Sequence, residues 1–138
     1  MLEIRHTNQG GIEISGGSDD LLKIKRTIID LAEGDHCSVS LFAASDIALA
    51  PDESVILKML LMKGNGSTKL SLLNKKTIKV EGLPENLKRL ASFFDVDSDA
   101  AAGEHTHFEF YEGNEWVASD SFSLIISVNQ PDTANGNV

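Results

Sequence analysis

Hydrophobic positions in the first half of the chain follow two rhythms. Ile4, then Ile12 and Ile14, stand among polar neighbours with the alternation of half-buried strands. Leu21, Ile24, Ile28 and Leu31 are spaced by three and four residues, the period of a helix with one apolar face. The pattern predicts a strand at 2–6, a turn at Asn8-Gln9-Gly10-Gly11 and a strand at 12–15. Ser18-Asp19-Asp20 caps the helix, and Gly34 ends it as a C-terminal glycine cap. A strand at 37–42, a loop at 43–53 and a strand at 55–61 follow.

The same rhythm then returns. At an offset of 66, Ile4, Asn8, Ile12, Ile14, Gly16, Leu21, Ile24 and Ile28 match Leu70, Asn74, Ile78, Val80, Gly82, Leu87, Leu90 and Phe94. At an offset of 69, Gly34-Asp35-His36 matches Gly103-Glu104-His105, and at 68, Ala50 and Asp52 match Ala118 and Asp120. The offset drifts where loops are expected, the places that tolerate insertion. The second copy predicts strands at 70–73 and 77–80 and a helix opened by Leu83-Pro84. An acidic loop at 95–103 and strands at 105–111 and 121–128 complete it.

Each copy thus reads as hairpin, helix, hairpin. The expected fold is α+β: two tandem ββαββ repeats, 2–62 and 68–128, related by a pseudo-twofold. Antiparallel strands form one long sheet or two four-stranded sheets, with both helices on one face. Residues 63–67 are too few for a flexible tether, so residues 1–128 are expected to form one domain. The tail 129–138 has little to bury and is expected to be flexible.

Charge separates the copies that hydrophobicity makes alike. Residues 1–89 hold 12 basic and 12 acidic residues, whereas residues 90–138 hold nine acidic residues and no Lys or Arg. A field of one sign argues against nucleic acid and anionic membrane and favours a basic protein partner; the competing reading is that it serves solubility. No apolar run is long enough to span a membrane, and the charged N-terminus does not read as a signal peptide. One cysteine excludes an internal disulfide, so a cytoplasmic location is expected. Cys37 shares parity with Val39 and Leu41 and is expected to point inward as an inert thiol. No nucleophile–base arrangement or phosphate-cradling glycine loop is apparent, so neither catalysis nor a cofactor is expected.

Three segments of the second copy carry candidate chemistry. On a strand, His105, His107, Glu109 and Tyr111 share one face, and Thr106, Phe108 and Phe110 take the other. Two imidazoles and a carboxylate suit a transition metal, so His105, His107 and Glu109 are candidate ligands; the competing reading is a solvated strand face. Asp95-Val96-Asp97-Ser98-Asp99 opens like a calcium loop, but Ala100 and Thr106 stand where that loop needs Gly and Glu. Finally, Tyr111 and Trp116 lie among Glu109, Glu112, Glu115 and Asp120, aromatic anchors within charge. The alternative for Trp116 is a plug for the core, replacing Ile47 of the first copy.

The second copy also resembles a known family. Ile78-x-Val80-x-Gly82-x-x-Glu85-x-Leu87, an acidic glycine loop, His105-x-His107-x-Glu109-Phe110-Tyr111, Gly113-Asn114, and Ser119-Asp120-Ser121-x-x-Leu124-Ile125-Ile126 resemble bacterial immunity protein 32. The resemblance covers about residues 76–128 and implies an antidote to a polymorphic toxin. The leading expectation is a non-enzymatic immunity protein. It binds its toxin through the acidic hairpin 104–120, using Glu109, Tyr111, Glu112, Glu115, Trp116 and Asp120. The rivals are the metal site and a homodimer that buries the open face of the sheet.

Overall fold

The computed structural model describes residues 2–7, 11–96 and 103–129. Residues 8–10 of the predicted turn, 97–102 of the acidic loop with the last three residues of its calcium-like run, and 130–138 of the tail lie outside the described residues. The N-terminal alternation builds a hairpin of β1 (Glu3–Thr7) and β2 (Gly11–Gly16). Ile4 pairs with Ile14, which puts the isoleucines on one face, and that face is fully buried. Helix α1 (Ser18–Glu33) follows, and the N–H of its N-cap residue, Gly17, donates to the Asp20 carboxylate at 3.2 Å. This satisfies the Gly17 N–H at the helix entry, and the acids of the first turn, Asp19 and Asp20, lie at the positive end of the helix dipole.

Two expectations at the far end of α1 need correction. Gly34 closes the helix with φ −97°, an extended conformation and not a left-handed cap. Glycine is needed there because a Cβ would lie 2.7 Å from the carbonyl oxygen of Asp30. Cys37 is exposed: β3 (Ser38–Phe42) begins one residue later, so the parity that would turn the thiol inward does not reach it.

The predicted strand at 55–61 is two strands, β4 (Glu53–Ile56) and β5 (Lys58–Lys63). They divide at Leu57, whose N–H donates to the Lys76 carbonyl at 2.8 Å. The second repeat supplies β6 (Lys69–Asn74), β7 (Thr77–Gly82), α2 (Pro84–Ala91) with a 3₁₀ turn at Ser92–Phe94, β8 (His105–Phe108) and β9 (Ser123–Val128). Every apolar pair matched at the offset of 66, from Ile4 and Leu70 to Ile28 and Phe94, is buried in both copies.

Among the described residues there are two sheets, ordered β4-β1-β2-β9-β8 and β3-β5-β7-β6. Each takes one hairpin from each repeat, so the copies interlock. The hairpins are antiparallel as expected, but β2 with β9 and β5 with β7 are parallel, and both sheets are therefore mixed. Hairpin patterning specifies only local pairs; the pseudo-twofold sets the long-range pair at each centre. The helices pack on each other, α1 also against β2, β3 and β5, and α2 against β7. Both sheets and both helices feed a single core.

Candidate binding surface

The second repeat's distinctive chemistry lies where β8 stops. Phe108 pairs with Leu124 and is buried. The chain then leaves the sheet, which overturns one expectation drawn from alternation. Phe110, expected on the inner face, is 40% exposed. Thr106 is on that side of β8 but is exposed at the sheet edge.

One buried asparagine shapes the loop that follows. The Asn114 N–H donates to the Tyr111 carbonyl at 2.9 Å, closing a turn in which Gly113 has φ +92°. Only glycine enters that region without strain. The Asn114 side chain donates to the Glu109 carbonyl at 3.5 Å and accepts from the Trp116 N–H at 3.2 Å. Sequence reasoning did not single out this shaping role, although a Gly-Asn step is a recognised turn signal.

Beyond the turn, the chain is fastened to β6 of the other sheet. Thr68 N–H donates to the Trp116 carbonyl at 2.8 Å, and Ala118 N–H to the Thr68 carbonyl at 2.9 Å. The Ser67 hydroxyl donates to the Glu115 carbonyl, and Leu70 N–H to the Ser121 hydroxyl. Lys69 pairs with Asp120 at 2.7 Å. That hydrogen bond holds the Asp120 carboxyl below its ordinary value.

The fastened loop presents Glu109, Phe110, Tyr111, Glu112 and Glu115 to solvent, with Tyr111 62% exposed. Among the described residues, Glu109, Glu112 and Glu115 have no ion-pair partner. Trp116 lies half-buried beneath them. Its ring centroid is 5.7 Å from Phe93 and 5.4 Å from Phe108, and the Arg89 guanidinium sits 5.8 Å over it. The indole therefore closes the end of the core and supports the loop.

His105 and His107 occupy the open face of the five-stranded sheet, exposed, with ring centroids 5.3 Å apart. Glu109 falls beyond the end of β8, so strand alternation does not carry it into their row. Among the described residues, no three His, Cys, Asp or Glu side chains are grouped to hold a metal. The rest of that open face satisfies itself. Arg5 bonds Glu3 at 2.7 Å, Ser15 at 3.2 Å and the Ala48 carbonyl at 3.1 Å, and Ser127 bonds Glu13 at 3.1 Å.

The family model described as immunity protein 32 matches residues 11–57 and 77–129, together well over half of the chain. The two segments open at Gly11 and Thr77, the first residues of β2 and β7, again 66 positions apart. No curated protein and no solved structure matches the chain significantly. With one segment of the family falling on each hairpin–helix–hairpin unit, the chain belongs to the immunity protein 32 family.

Proposed function

We propose that this protein neutralises a toxin by laying the loop between β8 and β9 over a basic surface of that toxin in the bacterial cytoplasm. Membership of the family supports a toxin-neutralising, non-enzymatic binding role. The observation that favours this particular face is the fastened loop: exposed aromatics among carboxylates without an ion-pair partner among the described residues, held by bonds to Ser67, Thr68, Lys69 and Leu70 at the edge of the four-stranded sheet. A loop ordered before binding loses little conformational entropy on binding. Tyr111 and Phe110 are the anchors, Glu109, Glu112 and Glu115 the charge partners, and Asp120 the rim. Trp116 supports them from below. The carboxylates also speed encounter with a basic partner, which matters to an antidote that must arrive before damage is done.

The test is calorimetric titration with a basic toxin that this protein captures in a pull-down. Glu112→Lys with Glu115→Lys, and separately Tyr111→Ala, should each weaken binding about 10- to 100-fold without changing the melting temperature. Unchanged affinity in both variants would remove this face from the interface.

A further inference from the structure

The four sheet edges are not protected alike. An unpaired edge strand is a template for another chain, and proteins guard such edges with charge, proline, a bulge or a cover. In the five-stranded sheet, β4 begins at Glu53 behind Pro51 and Asp52, and β8 carries two histidines between Glu104 and Glu109. In the four-stranded sheet, the register of β6 is irregular between Leu72 and Asn74, and the segment 116–122 covers its first half. The remaining edge, β3, reads Ser-Val-Ser-Leu-Phe, with no charge, no proline and an unbroken register against β5.

The hydrogen-bond phase shows which groups of β3 are free. Lys63 N–H donates to the Cys37 carbonyl at 2.9 Å and Ala43 N–H to the Leu57 carbonyl at 3.0 Å. Ladder bonds come from alternate residues, so Val39 and Leu41 also bond β5. Ser38, Ser40 and Phe42 turn their N–H and C=O groups outward, where none has a partner among the described residues. Beside this edge, two grooves of about 390 and 380 Å³ separate β3 from α1. Asp30 and Leu31 lie by Ser38 and Val39, and Lys23 and Ile24 by Leu41 and Phe42. Phe42 is 72% exposed.

We propose that β3 pairs antiparallel with β3 of a second copy, about a twofold axis at Ser40, and joins two four-stranded sheets into one. The outward groups are self-complementary: Ser40 meets Ser40 and Ser38 meets Phe42, giving about six backbone hydrogen bonds. Phe42 then lies beside Ser38 and Met62 of the second copy, which are cross-strand neighbours on the outer face. Val39 and Leu41 reach across the groove mouths on the inner face.

Charge selects a second copy as the occupant. Lys23 and Asp30 are about 10 Å apart along α1, the span of three strand residues, also about 10 Å. Antiparallel docking therefore sets the Lys23 end of one helix by the Asp30 end of the other, twice. Neither residue has an ion-pair partner among the described residues. Asp20, the acid beside Lys23, accepts from the Gly17 N–H at the helix entry.

Sedimentation equilibrium of the full chain, from micromolar to several hundred micromolar, tests this. A species of twice the chain mass should form with concentration. Ser40→Pro removes an outward N–H but no bond to β5, and should weaken dimerisation about tenfold or more. Lys23→Asp should also weaken it, and adding Asp30→Lys should restore it; this pair decides the matter if the proline variant loses its circular dichroism. A chain monomeric throughout, a dimer indifferent to Ser40→Pro and Lys23→Asp, or no restoration by the double swap would overturn the proposal. A monomer whose toxin affinity falls with Ser40→Pro would overturn it too and assign this edge to the toxin. Because Glu112 and Glu115 are not involved, failure here is distinct from failure of the acidic face.

Discussion

The connection from β3 to β4 and the connection from β8 to β9 occupy equivalent places in the two repeats, and they have been used in opposite ways. The first leads into β4, which adds an edge strand to the five-stranded sheet through four residue pairs with β1. The second runs beside β6 with one isolated bridge, Thr68 to Val117, and is otherwise held by scattered bonds. The first has become framework. The second stays outside the sheets as a fixed loop, and it carries the aromatics and unpaired carboxylates. The core positions of the two repeats are interchangeable in character, so what they share is architectural. Binding chemistry is to be sought where they differ.

The largest effects should ignore the difference. Phe94→Ala and its counterpart Ile28→Ala should cost about 3–5 and 2–5 kcal/mol respectively. Both should lower one shared calorimetric transition, because each sheet holds strands of both repeats. Two transitions in either variant would show that the halves are separable.

The difference should appear next, at the equivalent loops. Trp116→Ala should cost about 2–4 kcal/mol, since it empties a site against Phe93 and Phe108. Ile47→Ala in the first repeat should cost about 1 kcal/mol or less, as Ile47 is not packed against the core. Equal costs by denaturant titration would mean that the two loops serve the core alike.

Charge reversal sharpens the contrast without touching stability. Asp46→Lys with Asp52→Lys should leave toxin affinity unchanged, where Glu112→Lys with Glu115→Lys lowers it, and the lowering should shrink as salt rises. Equal losses from both pairs would mean that overall charge, and not the second loop, attracts the toxin.

The smallest effect concerns the Lys69–Asp120 tie, which the first loop lacks. The hydrogen bond from Lys69 holds the Asp120 carboxyl below its ordinary value. The pair's contribution is therefore present above that value and is lost as pH falls through the lowered folded pKa. Asp120→Asn should reduce stability slightly at neutral pH and flatten the acid side of the stability curve. Melting temperatures measured from about pH 6 to pH 2 check this; parallel curves for the two proteins would show that the tie contributes nothing.

The repeat was legible because core positions follow the period of the element that carries them. Ile12 and Ile14, or Leu87 and Leu90, announce both their element and their burial. What joins the copies was not legible, because β2 meets β9 across most of the chain and no local pattern encodes a long-range partner. Ends of elements are not legible either: alternation continues past Phe108 in sequence but not in structure, so Phe110 is exposed and Glu109 lies beyond the end of β8. The candidate loop was legible as a composition of aromatics and acids. Its rigidity was not, since that depends on Asn114 and on bonds to Ser67, Thr68 and Leu70 in the other sheet.

The interlocking has a consequence for synthesis on the ribosome. All four strands of the sheet from β3 to β7 have been made once Gly82 emerges. The five-stranded sheet must wait, because β9, the strand that joins β2 to β8, is the last to leave the tunnel. Until then β2 keeps an open flank and the β8–β9 loop has no closed base. A chain stopped short of Ser123 therefore lacks more than its final strand: it cannot close the sheet that holds the loop in place.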